Sequence, residues 1–237
     1  MKNVKIFLSE EEEFIESVEK IKYGSKLNIE TIYIEEFVKK KEYHLICGND
    51  IVYFLCNSIL ILSVINIIKN TNCFIINKDF YMKNYNKKHI QYVLNKGDIK
   101  TPRIISYENF EVSCFPLFCK SKKHAHITFQ AYNKKTLFYF FEKFDKKDFY
   151  FESSIIGVEY KIYYINGQIF SKTNINIDDK IKTICLKISE ILNLIAFSAD
   201  FIENLGQIFV IDVNPAPGFY LSDNARRSFI KYLGEQI

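Results

Sequence analysis

Three oxygen-bearing side chains near the C-terminal end, Asp200, Asp212 and Asn214, have the types and spacing of a hard-cation site. Asp212 and Asn214 stand two apart after the apolar run Ile208 to Ile211, so on a strand both leave the same face. Asp200 lies on a second strand-like stretch, and Asn204-Leu205-Gly206 between them reads as the joining turn. Two carboxylates and an amide oxygen suit Mg2+, which keeps positions open for phosphate oxygens. The pair before Pro215 also fits strand-end turn chemistry, in which Asp and Asn bond their own backbone. A chain that needed only a turn, however, would not need Asp200 arriving from the paired strand. The outline is that of a nucleotide site.

The elements that must position these groups follow from the residue pattern. Val4 to Leu8 reads as a strand, and Ser9 with Glu10, Glu11 and Glu12 as a helix start with acids in its first turn. Strands fit His44 to Cys47, Ile51 to Leu55 and Cys73 to Ile76, with a helix over Ser58 to Lys69. This alternation favours a parallel sheet. A helix over Asn86 to Asn95 leads through Pro102 into a strand, and Phe115 to Lys120 and Ile127 to Tyr132 read as antiparallel partners. Lys134 to Lys147 is an amphipathic helix with Leu137, Phe140, Phe141 and Phe144 on one face. The strand Phe149 to Glu152 follows, then a hairpin of Glu159 to Tyr164 with Gln168 to Ser171, turning at Asn166-Gly167. Helices over Asp179 to Leu194 and Asp223 to Leu233 flank the acidic strand pair.

Composition narrows the classes. The 237 residues can bury a full core, and a net charge of +4, carried by scattered lysines and only three arginines, argues against a nucleic-acid partner. Six cysteines show no metal-ligand spacing and, with no signal-peptide pattern, read as buried thiols of a reduced cytoplasm. The apolar run Ser58 to Ile68 is too short to span a bilayer, so no membrane partner is expected.

Taken in order, these residues and elements resemble the ATP-grasp superfamily over nearly the whole chain. The resemblance implies an α/β fold: a small pre-ATP-grasp domain over 1–80, a central subdomain over 81–150, and a C-terminal subdomain over 151–237 carrying the metal site. Lys87, ahead of a helix that runs into Asp98-Ile99-Lys100-Thr101-Pro102, and Lys120, ending the strand from Pro116, match the two lysines that contact ATP phosphates. Phe151 with Glu152, Ser153, Ser154 and Ile155 stands where the family's hinge strand meets the adenine edge. Glu159-Tyr160-Lys161 matches an acid-x-basic pair, with lysine where many ligases carry arginine. Asp200, Asp212 and Asn214 reproduce the metal-binding set, and Arg226 follows closely enough to reach an anionic substrate.

Two features depart from the ligase pattern. The loop after Lys120, Ser121 to His126, has no glycine, and a Lys/His loop would neutralise phosphate through side chains instead. That loop, Lys161 and the aspartate at 212 are similar to the inositol polyphosphate kinase branch, although three arginines are few for a polyphosphate. The activity implied is an ATP- and Mg2+-dependent carboxylate–amine ligase, with Mn2+ as the alternative metal, acting on small-molecule or peptide carboxylates and amines. Lys161 and Arg226 would act on the reacting groups, with Lys87 and Lys120 on the phosphates. A small-molecule kinase or a non-catalytic nucleotide-binding relative is the alternative. The substrates, the role of the 121–126 loop and a homo-oligomeric state stay open.

Overall fold

A computed structural model of the chain describes residues 3–9, 12–56, 58–83, 85–107, 111, 114–122, 127–172, 177–219 and 221–236. Two compact units emerge. One comprises Met1–Asn84, Lys161–Ala199 and Asn214–Ile237, and the other Tyr85–Tyr160 and Asp200–Val213.

The first unit opens with β1 (Val4–Leu8), α1 (Glu12–Tyr23), β2 (Ile29–Tyr33), α2 (Ile34–Lys40), β3 (Ile51–Leu55), α3 (Ile61–Ile68), β4 (Phe74–Ile75) and α4 (Lys78–Met82). The strands form a parallel sheet of order β2-β1-β3-β4, as the alternating pattern predicts. β1 and β3 are buried at all five positions; β3 reads as a continuous apolar run, and β1 is broken only by Lys5, whose ammonium meets Glu30 at 2.6 Å. The strand expected at His44 to Cys47 is absent. A 3-10 turn takes Tyr43–Leu45, and the Asp50 carboxylate accepts the Cys47 N–H at 2.7 Å, closing the segment into a turn ahead of β3. Of the six cysteines expected to be buried, Cys56, Cys119 and Cys185 are, Cys73 and Cys114 are partly buried, and Cys47 is exposed.

In the second unit, α5 (Lys87–Lys96) is capped by Asn86, whose side chain accepts the His89 N–H. There follow β5 (Ile104–Ile105), β6 (Leu117–Ser121), β7 (Thr128–Ala131), α6 (Lys134–Phe141) and β8 (Phe149–Ser153). The sheet has order β5-β8-β6-β7 with antiparallel pairing throughout. One face, with Leu117, Cys119, Phe149 and Phe151, is covered by Leu137 and Phe140 of α6. Alternation along the strands puts Phe118, Lys120 and Glu152 on the opposite face. α6 stops at Phe141, short of the expected Lys147, because Asp145 accepts the Lys147 N–H and starts a separate 3-10 turn at Lys146–Asp148.

The remaining elements are β9 (Val158–Ile165), β10 (Gln168–Ser171), α7 (Asp179–Leu192), β11 (Ala196–Asn204), β12 (Gln207–Asn214) and α8 (Asp223–Glu235). β9 and β10 form the expected antiparallel hairpin, and both turn residues, Asn166 and Gly167, have positive φ (43° and 87°). Leu205 and Gly206 make the β11–β12 turn the same way, at 47° and 74°. The third sheet has order β10-β9-β11-β12, and the division between units falls inside β9, β11 and β12. In the first unit, α8 supplies Phe229 and Leu233 to the core around Ile6, Leu8 and Tyr53. Among the described residues, no helix is long and apolar enough to cross a membrane.

Candidate functional site

The polar face of the second unit's sheet is the place to look for chemistry, because burying charge there demands partners. Lys120 sits on β6 and Glu152 on the adjacent β8, and the Lys120 ammonium meets the Glu152 carboxylate at 2.7 Å. The same ammonium donates to the Ile211 carbonyl at 2.7 Å. From the first turn of α5, Lys87 reaches Asp212 at 3.3 Å. One turn further along, the Gln91 amide donates to the Ile211 carbonyl at 3.0 Å. Two lysines on separate elements thus converge on the end of β12 that carries Asp212.

Glu152 is 1% exposed, and burial is the largest influence on its carboxyl, holding it above the ordinary glutamate range. The Lys120 ammonium opposes that rise, the Tyr150 hydroxyl helps oppose it, and the Asp212 charge adds to it. One Glu152 oxygen, Oε1, is buried with no hydrogen-bond partner among the described residues. Burial also raises the Tyr150 hydroxyl, with the Glu152 and Asp212 charges reinforcing it.

A cavity of about 230 Å³ opens over this face. Its walls include Lys87, Lys120, Glu152, Ser153, Ile155, Glu159, Asp200 and Asp212, eight of the residues that the sequence singles out. Phe118, Ile202, Ile211 and Pro102 supply apolar lining, and Thr128 completes it. Ser154 lines a neighbouring cavity of about 480 Å³ instead, together with Arg103. A third cavity, about 540 Å³, lies in the first unit and has one acid and one base, Asp79 and Lys78, without the paired carboxylates and lysines.

Lys161, Asn214 and Arg226 belong to the first unit. The Asn214 side-chain oxygen accepts the Ala216 N–H at 2.9 Å, the turn chemistry that its place before Pro215 allows. The Arg226 guanidinium pairs with Asp223 at 3.0 Å, and the Lys161 carbonyl accepts the Lys172 N–H. Of the loop after Lys120, Ser121 and Lys122 are described, and residues 123–126, with both loop histidines, lie outside the described residues. Gln91, Phe118 and Thr128 are the site residues that the sequence reading misses. Gln91 was within reach of it, since it follows Lys87 by four residues on a helix and shares its face.

Among the described residues, no three His, Cys, Asp or Glu side chains gather as a metal cage. Of the four carboxylates facing the cavity, Asp200 and Asp212, with no His or Cys beside them among the described residues, fit Mg2+ better than zinc, because Mg2+ takes one or two carboxylates and completes its shell with water and phosphate.

Set against known proteins, no family model matches the chain and no curated protein matches it in sequence. Solved structures do resemble it over its whole length. The ATP-grasp ligase PsnB, complexed with a minimal precursor, is 13% identical, with 100% of each chain covered and a TM-score of 0.75. D-alanine–D-alanine ligase from Bacillus anthracis, complexed with ATP, is 15% identical, covering 100% of this chain and 96% of that one at 0.75. The macrocyclase MdnC from Microcystis aeruginosa MRC, bound with the precursor peptide MdnA, is 13% identical, covering 99% and 100% at 0.73. The fold is the ATP-grasp fold, with the α/β content that the sequence pattern predicts.

Proposed function

We propose that the chain is an ATP- and Mg2+-dependent carboxylate–amine ligase that forms an amide or peptide bond through an acyl phosphate. The observation that carries this reading is the single cavity faced by Lys87, Lys120, Asp200 and Asp212, with Glu152 to Ile155 along one wall. Two cations for phosphate oxygens and two carboxylates for a metal are what phosphoryl transfer needs, since positioning and charge supply most of its catalysis. Bound Mg2+ would be held by Asp200 and Asp212, with Asn214 two residues on, and would neutralise phosphate charge.

In this reading Lys87 and Lys120 hold the phosphates, and the 152–155 segment and Glu159 hold the nucleoside. A substrate carboxylate oxygen attacks the γ-phosphorus as its bond to the bridging oxygen breaks, and ADP leaves with that electron pair. An amine then adds to the acyl carbon, the acyl C–O bond breaks to release phosphate, and the amine proton goes to water. No side-chain nucleophile is required, consistent with the lack of any such motif. Lys161 is proposed to offset the charge of the reacting phosphate and Arg226 to meet an anionic group of the substrate. PsnB and MdnC were each solved with precursor peptides, and that supports a peptide as the substrate to try first.

The test is ATP turnover with Mg2+ against amino acids and peptides, following free phosphate and product mass together. Phosphate release with a product lighter by one water than its two parts is expected. A product heavier by one phosphoryl group, with no free phosphate, would make the protein a kinase. Asp212→Ala should abolish turnover with the fold intact by circular dichroism, and retained turnover would remove Asp212 from the metal site.

A further inference from the structure

We propose that Gln91 is a positioning residue that sets the direction of Asp212, an inference that rests on reading Asp212 as the metal acid. Gln91 is 2% exposed on α5, and its Nε2 donates to the Ile211 carbonyl at 3.0 Å. The amide orientation is fixed by chemistry, because a carbonyl can only accept and only the nitrogen end can donate. The Lys120 ammonium donates to the same carbonyl at 2.7 Å, so its two lone pairs are met from α5 and from β6. The next side chain along the strand is Asp212, which Lys87 meets at 3.3 Å from the same face of α5.

α5 therefore grips β12 twice, once at the backbone of residue 211 and once at the carboxylate of 212. The two lysines carry charge that phosphate would draw away from these contacts. Gln91 is neutral and has no such competing partner, so it keeps hold of Ile211 when they turn to a ligand. Its other end, Oε1, is buried without a hydrogen-bond partner among the described residues. A polar side chain held in the core with half of its capacity unused is expensive, and an apolar residue would fill that space more cheaply. The donor to Ile211 is what it supplies.

Calorimetric titration of ADP with and without Mg2+ tests this, read as the ratio of the two affinities. Gln91→Met keeps the length and removes the N–H. It should lower the Mg2+ gain about five- to tenfold, the size of one lost hydrogen bond, and leave metal-free ADP binding within about twofold of wild type. Gln91→His, with a ring N–H of similar reach, should recover most of the gain, which a purely structural role would not predict. If Gln91→Met loses its native circular dichroism, Gln91→Leu decides on the same ratio, because it is smaller, apolar and donates nothing. A wild-type ratio in the folded donorless variant overturns the role of Gln91 alone. No Mg2+ effect on ADP in the wild type would overturn the metal reading, and this inference with it.

Discussion

Glu152 shows how much a single residue can reveal. Its folded-state carboxyl lies above the ordinary value near 4.5 because burial outweighs the Lys120 ammonium. The folded protein therefore holds this proton more tightly than the unfolded chain does. The stability it contributes is fully present below pH 4.5 and is lost as pH rises through the higher folded value. Glu152→Gln removes that dependence. The melting temperature of the variant minus that of wild type should grow as pH climbs from 4 to 8, and other carboxylates cancel in the difference; a flat or falling difference would contradict the burial argument. The sequence makes Glu152 visible as part of a hinge and Lys120 as a phosphate lysine, but not as partners. Their pairing depends on β6 lying beside β8, a register that no local pattern encodes. Asp200 and Asp212 were legible for the opposite reason, since one short turn at Leu205-Gly206 fixes which strands meet.

Elements were legible where burial is one-sided or complete. β1, β3 and α7 announce themselves by apolar runs or by helical periodicity. β2 and α2 do not, because β2 buries only Ile32 of its five residues, and α2 has two buried residues in seven. The 3-10 turn at Tyr43–Leu45 escapes for a different reason: its apolar residues mimic a strand, and the side chain of Asp50 that ends it acts from outside the run. Gly157 matters at this scale. A Cβ there would overlap the Glu203 carbonyl and press on the Ile202 side chain, so the segment leaving β8 lies flush against β11. Gly157→Ala should cost about 2 kcal/mol, the usual range for overpacking, and lower the melting temperature by several degrees. It should also weaken ADP binding, since Ile202 lines the cavity. An unchanged melting temperature would show that the backbone yields without cost.

Across the first unit, cohesion depends on a side chain that composition cannot flag. Asn77, 1% exposed and in the left-handed region at φ 58°, donates to the carbonyls of Ala196 and Pro215 at 2.6 and 2.7 Å. Its oxygen accepts the N–H groups of Ile195 and Ala196 at 2.7 and 3.3 Å, so one amide ties together stretches more than a hundred residues apart. Asn77→Ala strands these backbone groups and strains the backbone; a loss of about 3 kcal/mol is expected by chemical denaturation, and a loss below 1 would refute it. The two units also interleave along the chain: the second takes Tyr85–Tyr160 and then Asp200–Val213, with part of the first between them. Neither can be cut out as one continuous fragment. On the ribosome, Lys87, Lys120 and Glu152 emerge long before Asp200 and Asp212, so the floor of the cavity exists as sequence well before its acidic wall does. Unlike a domain encoded in one stretch, this one cannot finish folding in passing: a nascent chain halted before residue 200 should carry the lysines and still fail to retain ADP.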